Sequence, residues 1–79
     1  MKKALYERGY AAFTNLLKEE RRGAGLTQAR LAKKLRRPQS YVSKYERGGR
    51  RIDVVEFLEI ARAIGFDPNE FLKKLNSKL

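Results

Sequence analysis

The chain has 79 residues, of which 19 are basic and 9 acidic, giving a formal net charge of +10 at pH 7. It contains no cysteine and no histidine, which excludes disulfides and cysteine-ligated zinc and removes both the usual general base and the commonest metal ligand. One domain spanning residues 1–79 is expected at this length, and we expect no catalytic residues, bound metal or cofactor.

The positive charge is concentrated in the middle of the chain. Residues 28–52 hold nine basic residues and only Glu46 as an acid, a net charge of +8. Residues 1–27 carry a net +3 and residues 53–79 a net −1. A field of this kind attracts a polyanion, such as DNA, RNA or an anionic membrane surface.

No apolar run approaches the roughly 20 residues that a membrane-spanning helix requires. The basic N-terminus lacks the apolar core of a signal peptide, because Glu7 and Arg8 interrupt it at once. We therefore expect a cytoplasmic protein that has no membrane association.

The first predicted helix covers residues 4–22, ending at Gly23 or Gly25, and a break near Gly9 is left open. Its apolar residues recur at helical spacing: Leu5, Tyr6, Tyr10, Phe13, Leu16 and Leu17. The aromatic stretch Tyr6, Tyr10 and Phe13 has two interpretations, either cover for the core or a dimer surface. The C-terminal residues Phe66, Phe71, Leu75 and Leu79 are the alternative dimer surface.

Two short helices are predicted in the basic region. Thr27 is a suitable N-cap for a helix that runs to about Leu35. Pro38 fits the first turn of a second helix that runs to about Arg47. The inward-facing residues of this pair are Leu31, Ala32, Leu35, Val42 and Tyr45. Two short helices joined by a few residues indicate a helix-turn-helix.

Two further helices follow, each with its own cap. Asp53 and Glu56 form a capping-box pattern before an apolar helix that ends at Gly65. Asp67 and Pro68 then begin a last helix through Leu75. No segment shows the sustained alternation of apolar and polar residues that is typical of a strand. We therefore expect an all-α fold, a compact bundle of about five short helices.

Three segments resemble the phage Cro and repressor type of helix-turn-helix, the XRE family. They are Gly25-Leu26-Thr27-Gln28, Leu31-Ala32-Lys33-Lys34-Leu35, and Gln39-Ser40-Tyr41-Val42-Ser43-Lys44-Tyr45-Glu46-Arg47-Gly48; residues 58–65 resemble the family's fourth helix. The resemblance covers a core of residues 13–73, with residues 1–12 as an N-terminal helical extension. It implies a lambda repressor-like domain that binds double-stranded DNA and regulates transcription.

The resemblance also implies residue roles. The residues expected to contact DNA bases are Gln39, Ser40, Ser43 and Lys44. Gln28 and Arg47 are expected to contact the DNA backbone, and Arg21 and Glu46 to form a buried ion pair. Glutamine can pair with adenine through two hydrogen bonds, and lysine can reach the acceptors of guanine.

The turn departs from the family's pattern. Arg36 and Arg37 stand where a glycine and an apolar residue are common, so either Arg36 adopts a left-handed conformation or the turn differs slightly. We expect both arginines, together with Arg50 and Arg51, to contact the DNA backbone. Tyr41 is expected either to touch sugar or a thymine methyl, or to pack against the turn.

A homodimer on a near-palindromic site is the expected assembly, and no small-molecule effector is evident. The alternative function is a protein-interaction module, such as an antitoxin or an adaptor, built on the same fold. A single-stranded RNA binder ranks lower, because Tyr41 alone offers stacking within the basic zone. An enzyme ranks lowest.

Overall fold

Five helices make up the structure, a computed structural model that describes residues 2–79, with side chains from Lys3 onward. They are α1 (Lys2–Gly23), α2 (Gln28–Leu35), α3 (Gln39–Glu46), α4 (Val54–Ile64) and α5 (Pro68–Ser77). Residues 2–79 contain no strand, and the predicted all-α bundle is confirmed. Met1, which belongs to the predicted extension, lies outside the described residues. None of the five helices is long and apolar enough to cross a membrane.

The first helix is continuous through Gly9, the position at which a break was left open. A Cβ atom added there would lie 3.1 Å from the side chain of Leu79, so glycine allows the C-terminal residue to approach α1 closely. The helix ends at Gly23, and Gly25 then takes a left-handed φ of 73°. The chain can therefore reverse at once into the second helix.

The predicted N-caps are present as hydrogen bonds. The Thr27 hydroxyl accepts from the Arg30 amide at 3.1 Å. Asp53 and Glu56 form the complete capping box, with bonds of 2.8 and 3.0 Å between the side chain of each and the amide of the other. The Asp67 carboxylate caps α5. These caps satisfy amides that have no partner within their own helix, which fixes where each helix begins.

The core lies between α1 and the other helices. Its most deeply buried side chains include Leu17, Leu31, Val42, Tyr45, Ile60 and Phe71. An aromatic cluster of Phe13, Phe57, Phe66 and Phe71 joins α1, α4 and α5, with ring centroids 5.0–5.9 Å apart. Phe71 is only 1% exposed, so its suggested place in a dimer surface is wrong. The ring is part of the core.

Candidate DNA-binding surface

One face of α3 presents the four residues predicted to contact bases. Gln39, Ser40 and Lys44 are exposed, and Ser43 is half-buried. The opposite face carries Val42 and Tyr45, which are fully buried, as the sequence predicted. The helix therefore has a rigid buried side and a short polar side open to a ligand. Its observed bounds are one residue shorter at each end than predicted, because Pro38 is the N-cap and Arg47 the C-cap.

A buried ion pair between Arg21 and Glu46, which the family resemblance implied, joins the end of α3 to α1. Arg21 Nε lies 2.6 Å from Glu46 Oε2, and a second nitrogen donates to Oε1 at 3.0 Å. The third Arg21 nitrogen donates to the Leu26 carbonyl at 2.8 Å. The hydrogen bond to Glu46 raises the pKa of Arg21 above its ordinary range, against the effect of burial. Two-point bonding of this kind fixes orientation as well as distance.

Gln28 joins the same network. Its amide nitrogen donates to Glu46 Oε1 at 3.0 Å, so the residue predicted to contact phosphate is tied to the last turn of α3. No local pattern indicates this bond, because Gln28 and Glu46 are 18 positions apart. The contact links the first turn of α2 to the last turn of α3. Both helices of the motif are thereby positioned by one carboxylate.

The turn between α2 and α3 settles the question left open for Arg36. Its φ of 57° and ψ of 43° are left-handed, the only positive φ outside glycine among residues 2–79. The Arg37 amide donates to the Ala32 carbonyl at 3.0 Å, which closes the end of α2. Arginine here accepts a conformational cost that glycine would avoid. The Arg36 side chain is exposed to solvent.

Tyr41 packs against the turn, one of its two expected roles. The guanidinium groups of Arg37 and Arg50 both lie over its buried ring, with their central carbons 4.4 and 4.8 Å from the ring centroid. Glu56 holds both arginines, at 3.0 Å from Arg50 and 3.7 Å from Arg37. Burial raises the pKa of Tyr41, and the hydrogen bond from Arg50 lowers the pKa of Glu56.

The arginines over the Tyr41 ring are two of the residues that we expect to contact the DNA backbone. Arg37 and Arg50 line a shallow hollow of about 220 Å³ together with Ser40 and Lys44. Arg37 also lies 3.6 Å from Glu59. Glu56 and Glu59 therefore partly neutralise the two guanidinium groups, which lie beside Ser40 and Lys44 of α3. Sequence reasoning missed this role of Glu56, which it recognised only as part of the capping box of α4.

The loop after α3 holds the remaining predicted contacts. Arg47 is exposed, and its guanidinium donates to the Ser43 hydroxyl at 3.2 Å. Arg51 packs on the rings of Tyr6 and Tyr10, with its central carbon 4.9 and 4.7 Å from their centroids. Tyr10 is half-buried within the chain, whereas Tyr6 is still 52% exposed, so a dimer surface at Tyr6 stays a prediction. Contacts across more than 40 positions carry no signature in a single sequence.

Most of the basic side chains of residues 28–52 are exposed to solvent. Glu46, the one acid of residues 28–52, is buried in the pair with Arg21. The exposed basic side chains of that segment are Arg30, Lys33, Lys34, Arg36, Lys44, Arg47 and Arg51. The segment that carries α3 thus keeps seven exposed basic side chains, while Arg37 and Arg50 are paired with Glu56.

Similarity to known proteins agrees with this geometry. A family model described as helix-turn-helix matches residues 17–71. A solved XRE-family like protein from Pseudomonas syringae pv. tomato str. DC3000 is 47% identical, with a TM-score of 0.92 over 96% of this chain and 93% of that chain. The chain belongs to the XRE family of helix-turn-helix proteins. This XRE-family chain is thus a DNA-binding domain of the transcription-regulator type.

A more distant structure shares the fold. The wild-type restriction–modification controller protein C.Esp1396I is 23% identical, with a TM-score of 0.81 over 89% of this chain and 92% of that chain. At this identity the likeness concerns the fold alone. No curated protein gives a significant match to the XRE-family chain.

Proposed function

We propose that the protein regulates transcription by reading a specific double-stranded DNA sequence with α3 in the major groove. The observation that carries this proposal is the polar face of α3, rimmed by basic side chains and held from behind by the buried Arg21–Glu46 pair. The major groove admits an α-helix and displays a distinct pattern of donors and acceptors for each base pair. A helix that must discriminate between these patterns needs a fixed position, which the core and the ion pair supply.

The roles divide by chemistry. Gln39, Ser40, Ser43 and Lys44 contact base edges, since they share the exposed face of α3. Backbone contacts are assigned to Gln28, Arg36, Arg37, Arg47, Arg50 and Arg51. Base contacts specify the sequence, whereas phosphate contacts position the protein and make its affinity depend on salt. Gln28 can hold Glu46 and still offer its second amide hydrogen to a phosphate.

The protein acts as a homodimer on a near-palindromic site. Two recognition helices would then lie about 34–36 Å apart, one turn of the duplex. Exposed apolar side chains remain for such a contact on α4, where Val54 and Val55 are 69% and 63% exposed, and at Leu5, Tyr6 and Leu79. The α4 valines were not among the residues that the sequence suggested for a dimer surface.

Selection from a randomised duplex pool, followed by sequencing, tests the proposal. We expect a palindromic consensus and a specificity ratio of about 10³ or more over random DNA. Sedimentation of the selected complex should give two chains per duplex. Equal binding to all duplexes, with an affinity that only falls with salt, would mean that the charge binds phosphate alone.

A second candidate is a protein-interaction module, such as an antitoxin or an adaptor. The observation that favours it is an almost wholly apolar groove of about 430 Å³, which lies between Leu5, Tyr6, Phe13 and the C-terminal Leu75 and Leu79. Monomeric behaviour with no partner captured through this groove, together with a selected DNA consensus, would exclude this alternative.

A further inference from the structure

The N-terminal half of α1 contacts the loop that follows the recognition helix. It lies before residue 17, where the match to the family model begins. The Tyr10 hydroxyl accepts a hydrogen bond from the Ile52 amide at 3.0 Å, and it also lies 3.5 Å from the Arg50 carbonyl. The Tyr10 side chain therefore contacts the backbone of the loop at two residues, Arg50 and Ile52. Backbone bonding of this kind restrains the loop's path as well as its side chains.

The same helix also holds a cationic side chain. The Arg51 guanidinium lies over the rings of both Tyr6 and Tyr10 and donates to the Tyr6 hydroxyl. The two rings stack on each other, with centroids 6.1 Å apart. Contact of this geometry between a cation and two aromatic faces is attractive even at an exposed position. Arg51 is thus kept in one place although it is exposed to solvent.

The two tyrosines are anchored to the core. Tyr10 packs on Phe13 at a centroid distance of 5.5 Å, and Phe13 packs on Phe57 at 5.7 Å. A continuous row of aromatic rings therefore runs from the loop into the interior. The loop itself contains Gly48, at a φ of 79°, and Gly49, so its own sequence gives it little stiffness. Its order depends on what it is bonded to.

We propose that Tyr6 and Tyr10 are positioning residues for DNA binding. Together with Arg51 and Ile52 they form a tyrosine clamp that holds the loop of residues 47–53 and the Arg51 guanidinium ready for a phosphate. The inference rests on the proposed function, since it concerns how that surface is prepared. A loop ordered before binding loses less freedom when it meets its ligand, which raises affinity without any new contact to the DNA.

The first test removes one hydroxyl. In Tyr10→Phe the Ile52 amide should exchange its hydrogen faster, while circular dichroism and the thermal midpoint show that the fold is intact. Affinity for the selected duplex should fall about fivefold, the net effect of one hydrogen bond. The matched control is Ala4→Ser, a change at an exposed position on the same helix that should leave both readouts unchanged.

The second test is a cycle of Tyr6→Ala and Arg51→Ala. Each single variant should reduce the dependence of log affinity on log salt by about one phosphate contact, and the double variant should lose no more than either alone. A structural role without positioning would instead leave the salt dependence unchanged in Tyr6→Ala. If the wild-type protein binds its duplex and Tyr10→Phe binds it equally well, the clamp is refuted. If the wild-type protein binds no duplex, the proposed function fails first, and the clamp with it.

Discussion

The Arg21–Glu46 pair should be the most sensitive polar contact in the fold. Arg21→Met keeps most of the side-chain volume but removes three hydrogen bonds, of 2.6 and 3.0 Å to Glu46 and of 2.8 Å to the Leu26 carbonyl. The Glu46 side chain, only 4% exposed, would be left with just the Gln28 amide as a partner. Breaking a buried pair on one side typically costs about 3–5 kcal/mol.

The expected loss is large for a domain of this size. A cost of 3 kcal/mol lowers the thermal midpoint by about 12 °C or more in a domain of 60–100 residues. Total stabilities are about 5–15 kcal/mol, so a loss of about 3–5 kcal/mol removes a large share of the stability of a small domain. Urea denaturation followed by far-ultraviolet circular dichroism measures the free energy of unfolding directly.

Two comparisons make the test specific. The double variant Arg21→Met/Glu46→Met replaces the pair by apolar side chains and should recover much of the loss. Lys73→Met breaks the exposed pair with Glu70, a 3.4 Å contact, and should change the unfolding free energy by less than about 1 kcal/mol. If Arg21→Met and Glu46→Met each cost less than about 1 kcal/mol and their effects add, the pair does not fix α3 as described.

Three further predictions concern single positions. Tyr45→Phe should leave the free energy of unfolding unchanged or higher in urea denaturation, because the buried Tyr45 hydroxyl has no hydrogen-bond partner among residues 2–79. Arg36→Gly should stabilise the fold by about 0.5–1 kcal/mol, since the left-handed conformation costs a non-glycine residue about 1–2 kcal/mol and glycine loses part of that gain in unfolded-state entropy. Glu56→Gln should cost most above pH 4.5, the ordinary pKa of Glu56, because the Arg50 hydrogen bond and then the Asp53 amide lower that pKa in the folded state. Stability that depends on the ionised carboxylate is present above the unfolded pKa and is lost as the pH falls through the folded one, so denaturation at neutral and acid pH should show the variant approaching the wild type.

Each of these has an outcome that contradicts it. A loss above about 1 kcal/mol in Tyr45→Phe would reveal a hydrogen bond from that hydroxyl in solution. Arg36→Ala retains the Cβ atom, so an equal gain in that control would mean that left-handed strain is not the cause. A difference between Glu56→Gln and wild type that stays constant from neutral to acid pH would show that the ionised carboxylate is not responsible.

The helices and their ends could be predicted because their causes are local. Caps such as Thr27 and Asp53 act within one turn, and the buried face of α3 follows from helical spacing. For the turn, the sequence allowed either a left-handed Arg36 or a slightly different turn, and Arg36 is left-handed in the structure. The faces of helices could be read from the sequence wherever the pattern was amphipathic.

The remaining features depend on contacts between distant positions. The all-round apolar character of α4 hides which side is exposed, so Val54 and Val55 could not be recognised as surface residues. Phe71 was offered as a surface residue, yet it lies in the aromatic cluster. The bond from the Ile52 amide to Tyr10 joins residues 42 positions apart, and only the packing of α1 brings them together. Such contacts follow from the assembled fold.

The central claim, that α3 reads DNA sequence, is tested most directly by one matrix of titrations. Wild type and Gln39→Ala are each titrated with the selected duplex and with every single-base variant of it, at one fixed salt concentration. We expect Gln39→Ala to lose about 1–3 kcal/mol of discrimination at one base pair of each half-site and to keep the wild-type preference elsewhere. A uniform loss across all duplexes, or no loss at any of them, would contradict base reading by this face of α3.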